Sequence, residues 1–128
     1  PSIPGPWESD MARTLHIKRA YDEPAATDGQ RILVDRLWPR GLSKDKARID
    51  HWAKEVAPSD ALRHWFGHDP EKWDEFQRRY REELRANGEA VAALRARIGD
   101  KAATLVYAAH DTDHNNAVVL RDLLAAKS

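Results

Sequence analysis

The 128-residue chain has no cysteine. That absence removes disulfides, thiolate nucleophiles and zinc–thiolate centres together, and it fits a reducing compartment. No apolar run approaches the roughly 20 residues that cross a bilayer, and no secretory signal is read. A cytoplasmic protein without a membrane partner is the expectation. An excess of one charge is missing too, because 21 Lys and Arg balance 21 Asp and Glu. Internal repeats and low-complexity segments are not found.

The first ten residues, with three prolines, one glycine and no periodicity, are set aside as an expression-vector remnant or a disordered tail. Without Glu8 and Asp10 the remainder carries 19 acidic and 21 basic residues, about +2. A dedicated nucleic-acid binder is usually more basic, so nucleic acid is a disfavoured partner. Residues 11–128 are long enough for one domain with a modest core, needing neither metal nor disulfide staples.

What is present is a pattern of short apolar strands and amphipathic helices. Leu15 and Ile17 alternate with His16 and Lys18, which predicts a strand over 14–21 with one less-buried face. Arg31-Ile32-Leu33-Val34 follows the turn dipeptide Asp28-Gly29 and reads as a buried strand. The link between them, 22–30, is short for a parallel crossover, which takes roughly a dozen residues. A compact turn-rich connection and a hairpin are both open. Ser43 is placed to cap a helix in which Ile49, Trp52 and Val56 share a face until Pro58. Ser59 opens a second, short helix (Leu62, Trp65, Phe66) that Gly67 closes. Asp69-Pro70 marks a third helix, with Trp73, Phe76, Tyr80 and Leu84 at helical spacing as far as Ala86. Asn87-Gly88 breaks it. A fourth carries Val91, Leu94 and Ile98 up to Gly99. The strand Thr104–Tyr107 and a last helix with Val119, Leu120, Leu123 and Leu124 complete the chain. This order predicts a small α/β layer fold: a mostly parallel sheet of about three strands covered by helices.

Two of the predicted strands end in polar clusters. Asp35, Arg36, Trp38 and Arg40 follow the second strand, and His110, Asp111, Asp113, His114, Asn115 and Asn116 follow the last. Ligands of open α/β sheets bind at the carboxyl ends of strands, so the two clusters are expected to meet around one hollow.

The strings RILVDRLWPRGLSKDKA, HWFGHDPEKWDEFQRRYREEL and TLVYAAHDTDHNNAVVLRDLL resemble the YeaO-like family of bacterial domains of unknown function. The resemblance extends over nearly everything from Met11 onward and implies a compact cytoplasmic α/β domain over 11–128. More distant relatives carry a Cys and a Glu on the last strand and Cys-His-Arg at the start of the last helix. Tyr107 and Ala109 stand opposite the first pair here, and Asn115, Asn116 and Ala117 opposite the triplet. Thiol chemistry therefore does not transfer. The strand-end Asp35 with its nearby Arg, and the Asp-containing turn into the last helix, are shared.

Each candidate has a functional and an ordinary reading. Asp35 either meets a ligand hydroxyl, or acts as a base, or accepts from the N–H groups of the Pro39-Arg40-Gly41 turn. Arg36 and Arg40 hold an anion, or Arg36 pairs with a helix carboxylate. Trp38 stacks on a planar ligand or covers the Pro39 turn. Asp111, Asn115 and Asn116 line the N-terminus of the last helix, where unsatisfied N–H groups favour anions unless Asp113 caps it. His114 is the second candidate proton carrier, and Tyr80 turns its hydroxyl to the pocket or to a buried partner. His110, Asp111, Asp113 and His114 have the ligand types for a divalent metal, but too few histidines are local for such a site to be expected. His68 is read as a turn residue at a possible site edge. Trp52, Trp65 and Trp73 are read as packing residues. Arg78–Glu82 and Arg79–Glu83 are expected i,i+4 pairs, while Arg78, Arg81 and Arg85 form a weak basic stripe.

The leading functional reading is an anionic small molecule, nucleotide-like or sugar-phosphate, bound at the strand ends with no cofactor. Asp35 or His114 moves a proton if chemistry occurs. The alternative is a non-catalytic protein- or nucleic-acid-interaction module, and a metal-assisted hydrolase ranks third.

Overall fold

A computed structural model of the chain describes residues 15–126, so the reading of residues 1–10 lies outside the described residues. Four strands form one fully parallel sheet: β1 (Leu15–Arg19), β2 (Gln30–Leu33), β3 (His51–Trp52) and β4 (Ala103–Tyr107). Their spatial order is β1-β4-β2-β3. The last strand in sequence is thus inserted between the first two, with Leu105 level with both Ile17 and Ile32. The link from β1 to β2 is the compact, turn-rich alternative, built around a 3₁₀ turn at Ala26–Asp28. Gly29 closes that turn at φ +64, and a Cβ there would lie 2.2 Å from the Ala102 carbonyl oxygen. No other residue type fits without moving β4's approach.

Strand alternation divides the core. Ile32, Val34, Leu105 and Tyr107 face a large cluster, joined there by every long helix. These are α2 (Asp60–Phe66), α3 (Trp73–Ala86), α4 (Gly88–Ile98) and α5 (Asn116–Ala125). Leu33 and Val106 face the other way, into a small cluster with Ala20, covered by Trp38, Leu42, Ile49 and Trp52. Trp38 and Trp52 meet edge to face there, 5.6 Å between ring centroids.

Local signals explain most boundaries. Ser59 accepts from the Leu62 N–H to start α2, and Gly67, in the left-handed region, ends it. Asp69 accepts from the Glu71 N–H, with Pro70 opening the 3₁₀ turn that runs into α3. Trp52, Trp65 and Trp73 are half-buried packing residues.

The segment from Ser43 to Pro58 corrects the expectation of one helix. Ser43 does cap a helix, α1, but it spans only Lys44–Ala47 and ends at Arg48 with φ 50. Asp50 then accepts the Arg31 N–H, the Ala53 N–H donates to the Leu33 carbonyl, and residues 51–52 become the edge strand β3. Open backbone groups along β2 outcompete helical spacing here. Ile49 and Trp52 consequently pack on one face of the sheet and Val56 on the other.

On α3, Arg78 pairs with Glu82 (2.6 Å) as expected, but Arg79 pairs with Glu75 (2.8 Å) and not Glu83. Glu83 is taken by Ser59, accepting from its N–H and its hydroxyl. Among the described residues, no helix is long and apolar enough to cross a membrane.

Candidate functional site

The connections leaving the two central strands diverge. After β2 the chain turns to the small-cluster face, whereas after β4 it passes to α5 on the large-cluster face. A crevice between neighbouring strand ends is the geometric result, and it is where ligands of open α/β sheets sit. Here it is a hollow of about 610 Å³, within the range of roughly 300–1,000 Å³ common for small-molecule sites.

Most of the strand-end candidates lie along this one hollow, Asp35, Arg36, Trp38, Arg40, Asp111, His114, Asn115 and Asn116 among them, whereas Asp113 does not. Segments more than seventy positions apart are tied directly. Asp35 accepts from the Ala108 N–H (2.9 Å) and from Asn116 Nδ2 (3.1 Å), while Asn116 also donates to the Val34 carbonyl (2.9 Å). Asp35 therefore does not accept from the Pro39-Arg40-Gly41 turn. Burial pushes its carboxyl above the ordinary carboxylate range, partly offset by these two donors and by the charges of His68 and Arg63.

The turn into α5 is organised by Asp111, which accepts from the N–H groups of Asp113 (2.9 Å) and His114 (3.0 Å) and from His114 Nδ1 (2.9 Å). The Asp113 N–H first, then the imidazole, hold this carboxyl below its usual range. The helix cap is Asn115, not Asp113: its Oδ1 accepts from the Val118 N–H while its Nδ2 donates to the Asp111 carbonyl. Asn115 is buried and committed at both ends of its amide. The His114 ring stands edge-on to Trp73, at 5.2 Å.

Trp38 donates Nε1 to the Leu42 carbonyl (2.6 Å), bracing the turn around Pro39. Arg36 donates to the Pro58 carbonyl (3.2 Å) and lies 3.7 Å from Asp60, a helix carboxylate. Arg40 is exposed, and its carbonyl accepts from the Tyr21 hydroxyl (2.8 Å). Tyr80 is not a pocket group, since its buried hydroxyl donates to the Val56 carbonyl.

Sequence reasoning missed Arg63, Phe66 and Phe76 as lining residues, and Tyr21 from the end of β1. Arg63 and Phe66 are one turn apart on α2, so a shared side was legible, but not its destination. His68 lines the hollow with φ 57, and His110 lies 3.4 Å from Arg19. Among the described residues there is no group of three or more His, Asp or Glu side chains placed to hold a metal ion. His110, Asp111, Asp113 and His114 do not converge as a ligand set. On α3, the first arginine of the basic stripe, Arg78, is held by Glu75 (2.6 Å) and Glu82.

Fold and site together define a small parallel α/β domain with a cation-rimmed crevice at its strand ends. A family model described as the "Inactive DUF488-N3 subclade" matches residues 14–128. Uncharacterized protein Rv3073c of Mycobacterium tuberculosis is 44% identical over 110 residues, covering 86% of this chain and 92% of the relative. Uncharacterized protein YeaO of Escherichia coli is 39% identical over 110 residues, covering 86% and 96%. The chain belongs to the YeaO-related DUF488-N3 family. No solved structure matches it.

Proposed function

We propose that this is a non-catalytic binding domain whose strand-end hollow takes an anionic small molecule. The observation that carries the reading is the charge of the lining: three arginines, with three histidines beside them, against Asp35 and Asp111. Both carboxylates are already engaged by backbone or side-chain donors of the protein.

The absence of chemistry is supported by how Asp35 is spent. It ties β4 and α5 to the end of β2. A general base needs its lone pair aimed at the substrate, and both Asp35 oxygens already accept from the protein. The word "Inactive" in the matched subclade's description agrees with this reading.

A second reading, contact with a partner protein, draws on Leu37 and Tyr21, the exposed large apolar residues beside the same opening. A thermal-shift screen of organic and inorganic anions tests the first reading. Binding is expected to raise the melting temperature, to weaken with salt, and to weaken again in Arg36→Ala and Arg63→Ala. A panel of anions producing no shift, or turnover of a bound compound that Asp35→Ala abolishes, would overturn it.

A further inference from the structure

The hollow's hydrogen-bonding inventory specifies which kind of anion it accommodates, an inference that rests on the anion-binding reading. The amide, indole and phenol donors on the lining are committed to the protein. Asn115 uses both ends of its amide, Trp38 Nε1 goes to Leu42, the Tyr21 hydroxyl to Arg40, and Asn116 Nδ2 to Val34 and Asp35. What is left to meet a ligand is mostly guanidinium, imidazole and hydrocarbon. Phe66 and Phe76, stacked with centroids 4.3 Å apart, line the hollow together with Pro58 and Leu37.

The cations are also arranged. Arg36 and Arg63 both approach one oxygen, Oδ1 of Asp60, at 3.7 and 3.3 Å. Asp60 is largely exposed, so two guanidinium groups share one solvent-screened counter-ion at the lip. Their convergence on one oxygen offers a place for a ligand oxyanion, with Asp60, itself outside the lining, as the group it competes with.

We infer that the ligand is a flat apolar or aromatic body carrying one terminal phosphate or carboxylate, and not a polyhydroxylated sugar phosphate. A sugar ring would exchange water for phenyl and proline surface, leaving most of its hydroxyls without partners. An aromatic ring loses nothing there, while its oxyanion meets Arg36 and Arg63 with charge-assisted hydrogen bonds.

The test compares 1-naphthyl phosphate, ribose 5-phosphate and inorganic phosphate by calorimetric titration of the full chain. Naphthyl phosphate is expected to bind at least tenfold more tightly than the other two. Arg63→Ala is expected to weaken it at least tenfold, and Asp60→Asn, which removes the competing charge, to tighten it. Because these two side chains are exposed, circular dichroism is expected to show unchanged folds. Ribose 5-phosphate binding as tightly as naphthyl phosphate would overturn the inference and leave anion binding standing. Naphthyl phosphate binding that ignores Arg63→Ala would also overturn it. If none of the three binds, both readings fall.

Discussion

Strand β2 carries an Asp–Arg pair at each end, and the two pairs behave differently. Toward the amino end, Asp28 and Arg31 straddle the Gly29 turn and meet at 2.6 Å, with Lys18 reaching the same carboxylate at 3.2 Å. Arg31 also donates to the Ala47 carbonyl (3.0 Å), and Thr104 to the Asp28 carbonyl (2.8 Å). Both charged residues are buried. Only Arg31 Nη2 lacks a partner among buried side-chain polar atoms of the described residues. At the carboxyl end, Asp35 and Arg36 are sequence neighbours and do not pair. Asp35 accepts from β4 and α5, while Arg36 leans outward to Pro58 and Asp60. The same residue types make a closed structural knot where a turn lets them face each other. Where the chain directions part, they leave Asp35 tying the sheet to α5 and Arg36 at the rim of the hollow.

The largest effect that would break this contrast is at the closed end. Asp28→Ala strands the buried Arg31 and is expected to cost about 3–5 kcal/mol, read from urea denaturation midpoints. Asp35→Ala leaves the Ala108 N–H and Asn116 Nδ2 without their acceptor, and about 1–3 kcal/mol is expected. Equal losses at the two sites would erase the distinction. Arg36→Ala and Arg63→Ala, both at the rim, are expected to stay within about 0.5 kcal/mol of the parent while losing anion binding.

The two carboxylates also predict opposite pH dependence. Burial would raise Asp28, but the Ala25 N–H, Arg31 and Lys18 outweigh it and hold the pKa below the ordinary range. Its stabilisation is therefore complete above about pH 4 and is lost as pH falls through the lowered value. Asp35 is raised by burial, so its contribution is greatest in acid and declines as pH rises through the raised value. In urea titrations from about pH 3 to pH 7, Asp28→Asn is expected to flatten the acid-side loss. Asp35→Ala is expected to remove the decline above about pH 4. A parent profile without either slope would contradict the assignment.

Much of this was legible in the residues themselves. Ser59, Gly67, Asp69-Pro70 and Gly99 mark boundaries by local hydrogen bonding and backbone preference, and the folded chain uses each for that purpose. Two strand ends rich in polar groups led to one hollow, since alternation and connection rules are nearly local too. Illegible features depended on distant partners. Ile49, Trp52 and Val56 have helical spacing, yet β2's open edge drew residues 51–52 into the sheet. Asp113 and Asn115 are equally good caps by type, and the choice came from Asp111 folding the turn between them. Glu83 left its expected partner Arg79 for the N-cap of another helix. Arg63 and the stacked phenyl rings enter the hollow only because α2 and α3 pack beside β2's exit.

The most direct measurement of the account is an amide-resolved NMR titration of the full chain with 1-naphthyl phosphate. The predicted shifts concentrate at residues 35–40, 63–68 and 108–116, with the Asp28–Arg31 turn unmoved. Shifts centred on that turn, or spread evenly over the surface, would contradict it.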